Sequence, residues 1–312
     1  MTLRFTKGHG THNDFVLVAD TRGDLDLTPD HVRRLADRRG GIGGDGVIRL
    51  APTAAIARAG ERVADEVLAA EPGAIWFMDY RNADGSVAEM CGNGVRVFTA
   101  FAEDLGLVDL AGGGELALGT RAGVRRVRRE ANGWYAVDMG PWFLPGGEQA
   151  AAAGTDAQVM VHGWPAPRPA LSVDVGNPHT VVALAQPAEL EAADLTRVPA
   201  VEPVPPHGTN VELVVPLGEE TGPDGATTGR VRMRVHERGV GETRSCGTGA
   251  CAAALAVRAW AAGGAAQAAA GGPPDTWIVE VPGGEVRVRL LPGGHVELAG
   301  PAELVYSGEI EL

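Results

Sequence analysis

The sequence predicts an α/β protein of two domains related by duplication, and three observations carry that reading. Two near-copies of one turn, Met90-Cys91-Gly92-Asn93-Gly94 and Ser245-Cys246-Gly247-Thr248-Gly249, stand in separate halves of the chain. Each follows strand-like runs and opens a helix-like one, so both halves run strands, cysteine turn, helix. The 312 residues, 45% of them hydrophobic, suffice for two domains with a sizeable core. The expected division is 1–140 with 299–312, carrying Cys91, and 141–298, carrying Cys246.

In the first half, Phe15–Ala19, Val47–Leu50 and Ile75–Tyr80 read as strands. Thr28 as N-cap and Pro29 at the first position predict a helix over His31–Arg38. Residues 51–74, rich in Ala, Glu and Arg and helical in character around Glu61–Ala70, read as an insertion. Val97, Phe98, Phe101 and Leu105 fall at helical spacing after Cys91, and Gly106 stops that helix. Asn132-Gly133 predicts a hairpin between Val124–Arg129 and Trp134–Met139. Gly140 to Pro169, rich in Pro, Gly and Ala, reads as the boundary region. Strands follow at Leu171–Val175, Thr180–Ala183, Val211–Val215 and Val231–Val235, then the second cysteine turn and an Ala-rich helix to Ala262. Hairpins are expected at Pro282-Gly283-Gly284 and Pro292-Gly293-Gly294, and Ala302–Leu312 as a strand returning to the first domain.

Composition narrows the function. A formal net charge of −13 weighs against nucleic acid or an anionic membrane as partner. The basic run Arg125-Arg126-Val127-Arg128-Arg129 alternates around Val and reads as the solvated face of a strand. Three cysteines make a disulfide framework improbable, so a reduced, cytoplasmic protein is expected. Residues 1–10 lack an apolar h-region, and no secretory leader is expected. Ala250–Ala262 is interrupted by Arg258 and is shorter than the about 20 residues a bilayer needs. Lys7 is the only lysine, which argues against a pyridoxal Schiff base. No cofactor is expected.

Gly41-Ile42-Gly43-Gly44-Asp45-Gly46 fits G-x-G-x-x-G literally, but a helix precedes it and a strand follows, so it reads as a helix-to-strand loop. No C-x-x-C occurs, and Cys251 lies among alanines on a helix as a small core residue, so no metal is expected. A redox pair lacks the local spacing too. Each cysteine turn places a thiol at a helix N-terminus, where unpaired N–H groups and the dipole favour an anion and ease its ionisation. Two such thiols facing one carbon would serve as base and acid. Gly92 and Gly94 let a ligand approach the backbone. Glu237-Arg238, Asn177, His179, Asn210 and Asn13 would together suit a zwitterion, although each Asn alone is more often a turn residue.

The run Asn82 to Arg96, with Glu237-Arg238-Gly239-Val240-Gly241-Glu242-Thr243 and Cys246-Gly247-Thr248-Gly249-Ala250, resembles diaminopimelate epimerase. Lys7…Gly10…Asn13-Asp14-Phe15, Gly176-Asn177-Pro178-His179 and Thr209-Asn210-Val211-Glu212 match in the same order, so the resemblance covers nearly the whole chain. It implies an α+β fold of two pseudo-symmetric domains, mixed and antiparallel strands wrapped around a helix, with the active site in the interdomain cleft. It implies an isomerase that epimerises LL-2,6-diaminopimelate to the meso form without cofactor, in lysine and peptidoglycan-precursor biosynthesis. Cys91 and Cys246 would be the thiolate and thiol of a two-base mechanism. Asn13, Asn82, Gly92, Asn93, Asn177, Asn210, Glu237, Arg238, Gly247 and Thr248 would bind substrate, and His179 and Glu237 would tune the cysteines. Gly46 stands where some members carry Gln, and residues 51–74 are extra relative to shorter members.

The expected partner is a small amino acid, and the expected assembly a homodimer. Three rivals stay open. A paired-cysteine racemase of the proline racemase kind is disfavoured by Glu237-Arg238, which suit a substrate with a second charged end. A non-catalytic amino-acid-binding protein would not need both thiols. A zinc-stabilised structural protein would hold bound metal.

Overall fold

The computed structural model describes residues 2–223, 225–263 and 272–312. The chain forms two compact units, Met1–Asp138 with Ala299–Leu312, and Met139–Leu298.

In the first unit β1 (Thr2–Gly10) and β2 (Asn13–Ala19) pair antiparallel across Thr11-His12, both at positive φ. β1 is a strand that the sequence reading did not place. α1 (Pro29–Ala36) then crosses to β3 (Gly46–Pro52), which runs parallel to β2. Thr28 caps α1, its hydroxyl accepting the His31 N–H at 3.2 Å. The helix ends short of the expected Arg38 because the Asp37 carboxylate accepts the Arg39 and Gly40 N–H groups at 2.7 and 3.0 Å, a local turn that competes with helix.

The inserted segment forms α2 (Thr53–Arg58) and α3 (Arg62–Ala70), and Ile56 and Ala64 build a small core on Phe77. β4 (Trp76–Asn82) returns antiparallel to β3. α4 (Gly92–Asp104) leads to β5 (Glu115–Thr120), parallel to β4, and then to antiparallel β6 (Gly123–Arg129) and β7 (Tyr135–Pro141). Asn132 Oδ1 accepts the Trp134 N–H at 3.0 Å in the β6–β7 turn. In the basic run of β6, Arg126 is exposed and pairs with Glu71 and Glu115, while Arg125 is half-buried.

In the second unit the expected boundary stretch builds α5 (Gly147–Ala153) and β8 (Ala157–Met160). Gly154, in left-handed backbone, caps α5, and Ala157 and Val159 reach the core. β9 (Arg168–Asp174) and β10 (Pro178–Ala183) pair antiparallel. α6 (Pro187–Ala192) and β11 (Ala200–Glu202) follow, and β12 (Asn210–Thr221) lies parallel to β10. β13 (Thr227–Glu237) pairs with β12, and β14 (Gly241–Thr243) with β13. α7 (Gly247–Gly263) crosses to β15 (Thr276–Val281), parallel to β13, then come β16 (Gly284–Leu291) and β17 (His295–Gly300). The last strand, β18 (Glu303–Glu311), belongs to the first unit and pairs with β1 from Thr2↔Glu311 to His9↔Glu303.

The two units repeat one topology. β2–α1–β3 corresponds to β10–α6–β12, and β4–α4–β5 to β13–α7–β15; each is a parallel pair joined through a helix. Antiparallel β3–β4 corresponds to β12–β13, a direct hairpin where the first unit has α2 and α3. Each unit wraps mixed strands around a buried helix, α4 or α7. α7 is apolar on all sides and buried from Gly249 to Val257, as a helix enclosed by strands must be. Val211, Leu213 and Val215 join the core with Leu190 of α6. By strand alternation, Asn210, Glu212 and Val214 project from the opposite face, toward α7.

Candidate active site

Cys91 is the N-cap of α4, with extended backbone (φ −142°, ψ 121°), and its sulfur accepts the Gly94 N–H at 3.4 Å. The thiol thus takes the place that a Ser or Asp oxygen usually fills. It reaches Asn13 Oδ1 at 3.5 Å, which also accepts from Asn93 Nδ2 at 3.2 Å. The Asn13 amide is held from its other end, since Nδ2 donates to Asp45 Oδ2 at 2.7 Å.

Asp45 and Asp14 share Arg38, and Lys7 pairs with Asp14 at 2.6 Å and donates to the Gly43 carbonyl. Burial and the Asp14 charge raise the Asp45 carboxyl. Burial would raise Asp14 as well, but bonds to Arg38 and Lys7 hold it well below the usual carboxylate range. Behind the turn, buried Arg96 donates to the Pro301 carbonyl at 2.9 Å and to the Asn93 side chain. Asn82, at the end of β4, donates to Ser86 Oγ at 3.0 Å. Across from it, a Cβ on Gly46 would stand 2.4 Å from the Arg81 carbonyl, so this backbone leaves no room for a longer side chain there.

The second turn repeats the first. Cys246 precedes α7 and its sulfur accepts the Gly249 N–H at 3.3 Å, with the Thr248 hydroxyl at 3.5 Å. Its surroundings differ. Cys246 is only 8% exposed, and burial, then the Glu237 and Glu212 charges, push its thiol well above the ordinary value of 9.0. The expectation that a helix N-terminus eases ionisation fails here. The dipole contributes about 0.3–1 kcal/mol, less than the cost of taking a thiolate out of water.

His179, buried, meets Glu212 Oε1 through Nδ1 at 2.6 Å and Asn177 Oδ1 through Nε2 at 3.0 Å. Asn210 Oδ1 accepts the Arg238 N–H at 2.9 Å, and Asn210 Nδ2 reaches the Pro178 carbonyl at 3.3 Å. Arg238 is exposed and donates to the His207 carbonyl, while Glu237 accepts from the Thr243 hydroxyl.

The first unit therefore gathers Asn13, Asn93 and Cys91 into direct contact, with Asn82 in the turn beside Gly46. The second links Asn177 to His179, and Asn210 to Arg238. In each, the helix's first residues (Gly92 and Asn93, or Gly247 and Thr248) present the N–H positions that receive an anion. Sequence reading gave no role to Asp45, Arg96 or Glu212. For Glu212 one signal was available: an acid inside the run Val211 to Val215, where strand alternation points it away from Val211 and Leu213.

The profile of the family described as Diaminopimelate epimerase matches residues 5–144 and 171–305. A diaminopimelate epimerase of Streptomyces coelicolor is 45% identical over 312 residues, spanning 99% of this chain and 96% of that protein. Another, of Thermobifida fusca, is 42% identical over 317 residues, spanning 99% and 98%. The crystal structure of a Bacillus anthracis phenazine biosynthesis protein of the PhzF family matches with a TM-score of 0.62 at 14% identity, over 100% of both chains, a likeness of fold. On the strength of the profile match and of these full-length relatives, the chain belongs to the diaminopimelate epimerase family.

Proposed function

We propose that this chain is an isomerase that interconverts LL- and meso-2,6-diaminopimelate without a cofactor, in lysine and peptidoglycan-precursor biosynthesis. One observation carries the reading: each unit sets a cysteine at the start of its buried helix, sulfur on the N–H of the third residue onward, at 3.4 and 3.3 Å. Removing an α-proton from a zwitterionic amino acid leaves charge on the carboxylate. Preorganised donors in a water-poor site must stabilise it. The N–H groups of Gly92, Asn93, Gly247 and Thr248 supply them. One cysteine takes the proton as thiolate and the other returns one as thiol, so the pair titrates together and the pH–rate profile is bell-shaped.

Asn13, Asn82, Asn177, Asn210, Glu237 and Arg238 hold the distal amino-acid end, and His179 and Glu237 tune the cysteines. The two compact units act as the two domains, each giving one thiol. We place the enzyme in the cytoplasm, as a homodimer. Val305 and Tyr306, exposed on β18, support a dimer contact there. Among the described residues no helix is long and apolar enough to cross a membrane.

The test is α-hydrogen exchange in deuterated water. Cys91→Ala and Cys246→Ala should each abolish epimerisation, and proline should not exchange with the wild type. Substantial turnover by either variant would sink the two-base scheme.

A further inference from the structure

Glu212 lies fully buried within β12, where a carboxylate is costly unless partnered. Its neighbours in register are Val181 on β10 and Val235 on β13. Oε1 meets His179 Nδ1 at 2.6 Å, while Oε2 is buried with no hydrogen-bond partner among the described residues. His179 Nε2 is thereby turned to Asn177 Oδ1, 3.0 Å away. On its other side the carboxylate abuts the cysteine turn. A Cβ on Gly249 would stand 2.8 Å from Glu212 Oε1 and 3.2 Å from Cys246 Sγ.

The geometry points to Glu212 as a positioning residue of the reaction, which fixes the His179 ring through Nδ1 and backs the Cys246 turn so that this sulfur rests as the thiol of the pair and gives the proton in one direction of the interconversion. The assignment rests on the proposed role of Cys246 in epimerisation. The titratable groups on this face are His179 from β10, Glu237 from β13, and Cys246 with buried Cys251 from α7. His236 on β13 and Asp174 on β9 belong to the opposite face; His236 Nδ1 meets the Leu195 carbonyl at 2.9 Å and Asp174 Oδ1 accepts the Gly176 N–H at 2.8 Å. Burial raises the Glu212 carboxyl against the pull of His179, and the Glu212 charge in turn helps to raise Cys246.

Glu212→Gln keeps an acceptor for His179 Nδ1 but removes the charge, and Glu212→Leu removes both. Three readouts are taken on the full-length enzyme: kcat and KM for epimerisation, the pH profile of kcat, and the pH dependence of iodoacetamide alkylation at Cys246 in a Cys91→Ser background, with the site verified by mass spectrometry. Glu212→Leu should lower kcat about tenfold or more with KM little changed. Glu212→Gln should recover part of that loss and move the Cys246 alkylation midpoint down by roughly one pH unit. Glu212→Gln with wild-type kcat, pH profile and alkylation midpoint would overturn the proposal, and it decides alone if Glu212→Leu does not fold. Cys246→Ala separates the two readings. If it retains epimerisation, the role of Cys246 itself fails. If it is inactive while Glu212→Gln is wild type throughout, only the role of Glu212 fails.

Discussion

Two cysteine turns, each with its sulfur on the N–H three residues on, sit in unlike surroundings. Matching β2–β3 with β10–β12, Phe15 opposite Gly46 corresponds to His179 opposite Asn210, and Ile48 corresponds to Glu212. Counting along the helices from each cysteine, Arg96 corresponds to Cys251. The contacts agree with the match. A Cβ on Gly94 would meet Ile48 Cδ1 at 3.2 Å and Phe15 at 3.6 Å, whereas one on Gly249 would meet the Glu212 carboxylate at 2.8 Å. So the first thiol is backed by hydrocarbon with a buried guanidinium near its helix. The second is backed by the His179–Glu212 pair, with the buried Cys251 in the guanidinium's place. Duplication copied the geometry of a helix-capping sulfur, and a few side chains then gave the two copies different charge.

The largest break in the comparison comes from exchanging what lies behind the turns. Arg96→Met strands the Asn93 and Pro301 acceptors in the core and should cost about 3 kcal/mol of stability, as losing a charged buried hydrogen-bonding group does. Cys251→Ala removes one small buried group and should cost about 1 kcal/mol. Urea denaturation of both variants measures the gap, and equal losses would erase the asymmetry. A second, smaller contrast lies in the glycines. Gly249→Ala forces a methyl against a fixed carboxylate and should lose about 2 kcal/mol. Gly94→Ala presses most closely on an Ile methyl, 3.2 Å away, and should lose less than about 1 kcal/mol. Thermal melts of the pair rank them, and the opposite order would place Glu212 elsewhere.

The smallest contrast is in pH. Cys246 is raised in the folded state, so the stability it contributes is present below the ordinary thiol value of 9.0 and is lost as pH climbs above it. Asp14, held low by Arg38 and Lys7, contributes stability above the ordinary carboxylate value of 3.8 that is lost as pH falls. Denaturation midpoints across pH should therefore decline at the alkaline end less steeply in Cys246→Ala, and at the acid end less steeply in Asp14→Asn. Variants that follow the wild-type curve would remove both assignments.

Local signals were legible in the sequence. Thr28 caps α1, Asn132-Gly133 turns β6 into β7, and both cysteines cap helices where the flanking glycines put them. What needed a partner distant in sequence was not. β1 was missed because Gly8 and Gly10 resemble turn residues. They are glycines because α4 presses on them: a Cβ on Gly8 would stand 2.9 Å from Val97 and one on Gly10 3.2 Å from Arg96. The burial that raises Cys246 and the register that brings Glu212 to His179 both depend on β10 lying beside β12, two segments joined through α6 and β11. Nothing within either segment announces that neighbour.

The pairing of Thr2 with Glu311 has a consequence for biosynthesis. Residues 139–298 hold β8 to β16 whole and can close upon themselves while translation continues. β1, made before them, waits with a bare edge until β18 clears the ribosome, the slow long-range closure that high contact order entails. A unit begun before residues 139–298 is thus completed after them, and a nascent chain truncated before residue 303 leaves that edge open to aggregation.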